Sequence, residues 1–262
     1  GGSRTVVQSK RAAGVFLLVI TVTVAPAVGA WKFYEHRQVT KMGALEPPDP
    51  GAVVVATDDA GASLRTLVAD ARGFVVWSSN RGGNHDIYRM DFPSLVVRQL
   101  TQHPHVDYYP RISPDGEKII FARSQRPWVS QRNNELWDVY LFEVGTGGES
   151  LMAKDANAPM WAGSGKIIFQ RNDSQVVECD IVTGEQRVLF ESGKQGIPDG
   201  VRLETPDYNA AEEWMAVTFR GEQRMTALVS KTGEFRKVAG GCQINWSPDG
   251  QFLYYVDHGG RK

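Results

Sequence analysis

The sequence contains little cysteine. Only Cys179 and Cys242 occur among its 262 residues, and they do not form a Cys-x-x-Cys pair. This excludes the thiolate clusters that hold structural zinc and the dithiol motif of redox proteins. Because the two residues fall in separate sequence repeats, described below, we interpret them as small buried side chains and not as a disulfide.

The sequence also lacks an excess of charge of either sign. It has 29 Lys and Arg residues against 30 Asp and Glu, a net charge of -1 at pH 7. So small a net charge argues against nucleic acid as a partner. Hydrophobic residues make up 42% of the sequence, which is typical of a folded protein with a sizeable core.

Motifs of known catalytic chemistry are missing as well. The sequence has no Gly-x-Ser-x-Gly elbow and no Ser-His-Asp arrangement. The glycine-rich run at 145–148 lacks the following Lys-Ser/Thr of a phosphate-binding loop, so we interpret it as a hairpin tip. We therefore predict no catalytic residue and no cofactor.

One long hydrophobic run is present near the N-terminus. Residues 12–30 carry no charged side chain, and as a helix they would extend about 28 Å, close to the hydrocarbon thickness of a bilayer. Basic residues precede the run, which predicts a cytoplasmic N-terminus. Three aromatic residues follow it and are expected at the membrane interface: Trp31, Phe33 and Tyr34.

This run defines the predicted domain organisation. We expect a cytoplasmic tail (1–11), a transmembrane helix (12–34), a Pro-rich linker (35–51) and a globular domain (52–262). A cleaved signal peptide is the alternative, because the basic start and the small residues at 28–30 fit it too. We favour the retained anchor, which predicts a single-pass protein of a bacterial inner membrane with its globular domain in the periplasm.

Beyond residue 52 the sequence consists of short β-type runs separated by turn residues. Each set has three runs. A further run, which ends in a turn, precedes each set, and the run before the first set ends as "VADARG" (68–73). The sets cover 74–101, 118–154, 166–191 and 213–240, and a fifth begins at 251 and stops after one run. Four strands every ~40 to 50 residues predict the blades of a β-propeller.

A recurring phrase marks the turn between the first and second strands of a blade. Ser-Pro-Asp-Gly occurs at 113–116 and again at 247–250, each time before an apolar strand. With "SSNRGGNHDIY" (78–88) and Leu100-Thr101, these phrases resemble the TolB-type six-bladed propellers. Because the phrase recurs at equivalent positions, we interpret it as a structural turn and not as a site.

The resemblance implies an all-β propeller with four complete four-stranded blades and a partial fifth. The run "GAVVVATDD" (51–59) could supply one closing strand. Such a set does not close a six-bladed ring, so we expect either a continuation past Lys262 or a partner that covers the open edges. This fold hosts many functions, so function must be argued from particular sites.

The richest local cluster of polar residues is "QHPHVDYYP" (102–110). His103, His105 and Asp107 alternate along it, and in an extended segment they would share one side, as the ligands of a metal can. The segment links one blade to the next, where similar chains carry polar residues. We therefore favour a polar contact patch at one end of the propeller and predict no metal.

A second candidate is the loop "RPWVSQRNNELW" (126–137), which is longer than a usual hairpin loop. Arg126, Trp128 and Arg132 give it the composition of a protein interface. A solvated loop with one packed Trp is the alternative, and the sequence does not decide between the two.

These patterns favour a non-catalytic scaffold or accessory subunit. Its partners would be the lipid bilayer and other subunits of a larger membrane complex, respiratory or photosynthetic for example, contacted through the helix and the propeller surface. One alternative is the propeller domain of an enzyme, either a serine peptidase with a hydrolase domain beyond Lys262 or a metal-dependent sugar lyase. A periplasmic binding module is the other.

Overall fold

The computed structural model describes residues 54–55, 65–131, 133–209, 211–222, 224–247 and 249–257. The predicted tail, transmembrane helix and linker lie outside these residues, together with Trp31, Phe33 and Tyr34. They remain predictions. Within the described ranges, no helix has the length and apolar character required to cross a bilayer.

The described part of the chain is built from β-strands, with a single helical turn at 65–67. The strands are β1 (Val54–Val55), β2 (Gly73–Ser79), β3 (Asp86–Phe92), β4 (Val96–Gln99), β5 (Asp107–Ile112), β6 (Lys118–Ser124), β7 (Trp137–Glu143), β8 (Glu149–Ala153), β9 (Ala156–Trp161), β10 (Lys166–Arg171), β11 (Gln175–Asp180), β12 (Gln186–Glu191), β13 (Arg202–Asn209), β14 (Trp214–Arg220), β15 (Arg224–Ser230), β16 (Phe235–Ala239), β17 (Gly241–Trp246) and β18 (Leu253–Asp257).

These strands form antiparallel sheets that match the predicted blades. β5 to β8, β9 to β12 and β13 to β16 each make a four-stranded sheet in chain order, and β17 pairs with β18 alone. The inner strands β5, β9, β13 and β17 lie in succession, with contacts between β5 and β9, β9 and β13, and β13 and β17. The all-β architecture, the sets of four strands and the two-stranded fifth unit are confirmed.

The first sheet departs from the prediction, because its strand order is β1-β4-β3-β2. The prediction of a strand that ends as "VADARG" is wrong, because residues 65–67 are helical and residues 68–70 form a turn. The stretch has helix-forming Leu, Ala and Arg and no Pro, and the Arg72 guanidinium donates to the carbonyls of Ala69 and Ala71. The fourth strand is instead β1, from the run at 51–59, which pairs with the outer strand β4.

The second strands of blades two, three and four are buried over most of their length, whereas β2, the second strand of blade one, is half-buried. Ile119, Ile120 and Phe121 of β6 have no exposed surface, and the same holds for residues 167–169 of β10. The sheets of blades two, three and four therefore pack on both faces, which explains why these strands are continuous apolar runs and not alternating ones. The core lies between neighbouring blades and not on one side of a single sheet.

Every inner strand is interrupted at the same place, which the sequence analysis missed. One residue there has a positive φ: Tyr109 (57°), Ala158 (48°), Thr205 (48°) and Gln243 (53°). The pairing register shifts at each of these positions, as it does at a β-bulge. A proline follows in three of the four strands, at 110, 159 and 206, and such a bulge is one place where a sheet tolerates proline.

The recurring Ser-Pro-Asp-Gly phrase forms the turn that the sequence predicted. Asp115 Oδ1 accepts hydrogen bonds from the Ser113 hydroxyl and from the backbone N–H of Glu117, and Gly116 takes a φ of 76°. The Ser113 bond is the main reason that the pKa of Asp115 is lowered. Asp249 makes the same bonds to Ser247 and Gln251.

The two cysteines lie in different blades and neither forms a disulfide. Cys179 is buried in β11, as predicted, but Cys242 in β17 is only half-buried. The prediction that Cys242 is buried is wrong; the residue lies in the unit where β17 pairs with β18 alone.

Packing between blades predicts that two phenylalanines contribute very differently to the free energy of unfolding. Phe169 is fully buried in blade three, whereas Phe252 is 60% exposed before β18. We expect Phe169→Ala to lower the free energy of unfolding by about 3–5 kcal/mol and Phe252→Ala to change it by less than about 0.5 kcal/mol. Urea denaturation of the full chain, followed by circular dichroism, measures both; equal losses would contradict this account of the core.

Candidate interaction face

The candidate site lies at one end of the first two sheets. Because neighbouring strands are antiparallel, the loops between second and third strands and the links between blades emerge at the same end. At blades one and two this end consists of residues 80–85, 100–106 and 125–136, and we call it the linking face. Both sequence-predicted clusters, at 102–110 and 126–137, lie here.

A buried ion-pair triad lies beneath the linking face. Asp107 begins β5 and pairs in register with Arg123 near the end of β6. Arg123 donates from Nε and Nη2 to the two oxygens of Asp107 (2.7 and 2.8 Å) and from Nη1 to Glu149 Oε2 (2.6 Å). The side chains of Asp107 and Arg123 are 0% and 6% exposed. Burial alone would lower the pKa of Arg123, but these hydrogen bonds raise it above its usual value.

The triad bears on whether His103, His105 and Asp107 can bind a metal ion together. His103 and His105 do come together, with ring centroids 4.8 Å apart in an edge-on arrangement. Asp107, however, gives both carboxylate oxygens to Arg123. His105 Nδ1 lies 2.7 Å from the Ser124 carbonyl oxygen and must be its donor, and His103 Nδ1 accepts from the His105 N–H. Among the described residues, no group of three or more His, Cys, Asp or Glu side chains could hold a metal ion.

A second buried carboxylate fastens the link between blades one and two. Asp86 is 3% exposed, and it accepts hydrogen bonds from Gln99 Nε2 (3.0 Å) and from the backbone N–H of His103 (3.3 Å). Burial is the main cause that raises its pKa to about 6. Asn84 of the neighbouring hairpin donates to the carbonyls of His103 and His105 (2.7 and 2.8 Å), so hairpin and link form one structure.

Ser78 and His85 are also neighbours here, but their hydrogen bonds do not activate the serine. The Ser78 hydroxyl donates to the backbone carbonyl of Asp107 (2.6 Å), so its proton is directed away from the imidazole. His85 Nδ1 lies 3.3 Å from the same hydroxyl oxygen. This pair joins the second strand of blade one to the inner strand of blade two.

The loop at 125–136 is held in place on both sides of Trp128. Val129 is buried against Tyr108 and Trp137, and the Ser124 hydroxyl donates to the Arg126 carbonyl (2.6 Å). Further along the loop, two more bonds fix it: Trp137 Nε1 to the Asn133 carbonyl (2.6 Å) and the Tyr109 hydroxyl to the Gln131 carbonyl (3.2 Å). The side chain of Trp128 is nevertheless 72% exposed.

These contacts identify which tryptophan is packed. Trp137 is 1% exposed and belongs to the core, whereas Trp128 projects into solvent. Arg126 is exposed beside it. Arg132, the third residue of the predicted interface, lies outside the described residues.

Sequence reasoning missed the residues that build this face. Arg123 follows an apolar run and shows no motif, and its pairing with Asp107 depends on a register that the β5 bulge shifts. Arg81 sits in the hairpin tip "NRGGN", where its guanidinium lies 5.3 Å from the Trp77 ring centroid and 5.0 Å from that of Tyr88. The aspartate of "HDIY" was the only available signal for Asp86.

Comparison with known proteins supports the fold. No family model matches the chain. A TolB homolog of Chlorobium chlorochromatii is 30% identical over 97 residues, which is 36% of this chain and 20% of that protein. The crystal structure of TolB from Acinetobacter baumannii superposes with a TM-score of 0.54 at 15% identity, over 72% of this chain and 48% of the other.

A putative TolB from Agrobacterium tumefaciens gives a TM-score of 0.56 at 15% identity, over 70% of each chain. The fold of this chain is therefore that of a TolB-like propeller, as the sequence resemblance predicted. The chain spans about half the length of the Acinetobacter structure and a fifth of the Chlorobium protein. At this identity the likeness to the solved structures concerns the fold alone.

The buried triad predicts the effect of removing its cation. Arg123→Met leaves Asp107 buried without a partner, so we expect a loss of about 3–5 kcal/mol in unfolding free energy at pH 7. Adding Asp107→Asn removes the uncompensated charge and should recover part of that loss. Denaturant unfolding of both variants measures this; equal losses in the single and double variants would show that charge burial is not the cause.

The raised pKa of Asp86, about 6 against an ordinary 3.8, predicts a pH dependence. The folded state binds this proton more tightly than the unfolded state, so the stabilisation is complete below pH ~4 and is lost as pH rises through ~6. Asp86→Asn cannot titrate. The unfolding free energy of the wild type minus that of the variant should therefore fall between pH 4 and 7, by at most about 3 kcal/mol. A difference that stays constant over this range would contradict the assignment.

Proposed function

We propose that this protein is a non-catalytic docking module whose linking face binds partner proteins. The observation that carries the proposal is the exposure of Trp128 on a loop that is held by buried contacts on both sides. Tryptophan is enriched among the residues that dominate binding energy at interfaces. A side chain already held in place loses less conformational entropy when it binds.

The polar chemistry of the face supports a binding role over a catalytic one. The Ser78 proton points away from His85, and the carboxylates of Asp86 and Asp107 accept hydrogen bonds from Gln99 and Arg123. These groups hold strands and links together. The role we propose is therefore that of a scaffold or accessory subunit.

The setting we propose is a bacterial inner membrane. Residues 12–34 would anchor the chain, with the propeller in the periplasm and the N-terminus in the cytoplasm. The apolar run with its basic start and aromatic end supports this part of the proposal. Other subunits of a membrane complex would contact both the anchor and the linking face.

The proposal predicts what Trp128→Ala does. Because Trp128 is exposed, its loss should change stability by less than about 0.5 kcal/mol, while truncation of a central interface tryptophan typically weakens binding by 2 kcal/mol or more, about thirtyfold. The measurement is gentle solubilisation of the membranes, purification through the full chain and quantitative identification of the proteins that co-purify.

Val182→Ala is the matched control. Val182 is 87% exposed but lies between the third and fourth strands of blade three, at the opposite end of the sheets. Its replacement should leave co-purification unchanged. Partners retained equally by both variants, or a wild-type chain that runs alone as a monomer, would overturn the proposal.

A further inference from the structure

Two arginines on the linking face have no anionic partner among the described residues. The guanidinium of Arg81 stacks over Trp77 and Tyr88, and its Nε donates only to the Ser79 hydroxyl (3.3 Å). Arg126 is exposed beside Trp128 and forms no ion pair with a described carboxylate. By contrast, other arginines of the domain, such as Arg123 and Arg187, bind carboxylates.

The two arginines belong to one continuous surface. Asn84 of the Arg81 hairpin donates to the carbonyls of His103 and His105. His105 Nδ1 bonds in turn to the Ser124 carbonyl, and the Ser124 hydroxyl bonds to the Arg126 carbonyl. This chain of contacts connects the hairpin, the blade link and the Trp128 loop into a single preorganised patch.

The part of the patch around Arg81 and Arg126 has no carboxylate of its own; the exposed acidic residue of the linking face, Glu135, lies at the far end of the Trp128 loop. Residues 80–85, 100–106 and 124–131 include two arginines and three histidines but no Asp or Glu. The nearest carboxylates are engaged: Asp86 and Asp107 are buried, and Asp138 and Asp155 at the border accept from Gln125 Nε2 (2.8 and 2.9 Å). An anionic ligand at Arg81 and Arg126 would therefore meet guanidinium groups without an ion-pair partner, and the carboxylates of Glu135, Asp138 and Asp155 would confine it to this part of the face.

The opposite end of the sheets is more acidic than the linking face of blades one and two, although Lys118, Lys166 and Lys231 also lie there. Its turns carry a set of acidic residues: Asp115, Glu117, Glu185, Glu212, Glu213 and Asp249. A partner that is attracted to the linking face would thus be disfavoured at the other end, which sets the orientation of docking.

We propose that the linking face binds an acidic segment of a partner protein, with carboxylates on Arg81 and Arg126 and an apolar side chain against Trp128. This names the partner chemistry of the proposed function and rests on it. Arginine held flat on aromatic rings presents the fork that matches a carboxylate. Recognition of anionic lipid usually takes a cluster of four to eight basic residues, so two arginines beside a projecting tryptophan favour a protein segment.

The test uses the full chain in neutral detergent and a fluorescein-labelled 12-residue peptide with a repeated Glu-Glu-Leu sequence. We expect binding at low salt that weakens as NaCl is raised, and no binding of the Gln-Gln-Leu analogue, both measured by fluorescence anisotropy. The Arg81→Gln/Arg126→Gln double variant should bind the acidic peptide at least about tenfold more weakly than the wild type does. Trp128→Ala should weaken the binding of both the peptide and the co-purifying partner.

Arg236→Gln provides the matched control for a stacked surface arginine. The Arg236 guanidinium lies 4.7 Å from the Trp214 ring centroid, but Glu234 already pairs with it. This variant should bind the acidic peptide like the wild type. Circular dichroism of each variant checks that the fold is retained.

Several results would overturn the inference. It fails if the Gln-Gln-Leu analogue binds equally, if the acidic peptide does not bind, or if the double variant binds like the wild type. It also fails if, with the full chain reconstituted in phosphatidylcholine nanodiscs, added phosphatidylserine in the discs displaces the peptide and this displacement requires the same arginines. If co-purification depends on Trp128 but not on Arg81 and Arg126, the docking function stands and only the acidic partner is wrong.

Discussion

Packing of sheets on both of their faces is the constraint on which the rest of this structure depends. A sheet whose central strands are apolar on both sides, as in residues 119–121 and 167–169, has to be covered twice. Repetition around an axis is the arrangement that covers every complete sheet with its neighbours. The loops then collect at the two ends of the sheets, where their side chains no longer serve the core.

The linking face shows how such an end becomes rigid enough to present a site. The triad of Arg123 with Asp107 and Glu149 joins strands β5, β6 and β8, and Asp86 holds the link that crosses from blade one. Buried charge of this kind contributes little net stability but favours one arrangement of the strands, since any other leaves a charge unpaired. The consequence at the surface is a fixed platform for Trp128, Arg81 and Arg126.

The sequence predicted the fold well, because turn residues and hydrophobic runs that are close together in the sequence specify the repeat. The Ser113 and Ser247 turns and the apolar second strands follow from turn residues and hydrophobic runs. The prediction of a strand at 68–73 failed because a helical turn at 65–67 and a turn at 68–70 replace it, and β1 supplies the fourth strand by pairing with β4. The Asp107–Arg123 pairing could not be predicted, because the bulge at Tyr109 shifts the register between their strands. Trp128 is exposed because its neighbour Val129 is the loop residue that packs into the core. The composition of the loop does not reveal which of the two residues is buried.

We propose that the linking face, and not the opposite end of the propeller, contacts another protein. The most direct test replaces Trp128, and in a separate chain Val182, with the photo-crosslinking residue p-benzoylphenylalanine and illuminates the intact native membranes. The account predicts a defined protein adduct from position 128 and none from position 182. Adducts at 182 alone, or only lipid adducts at 128, would contradict it.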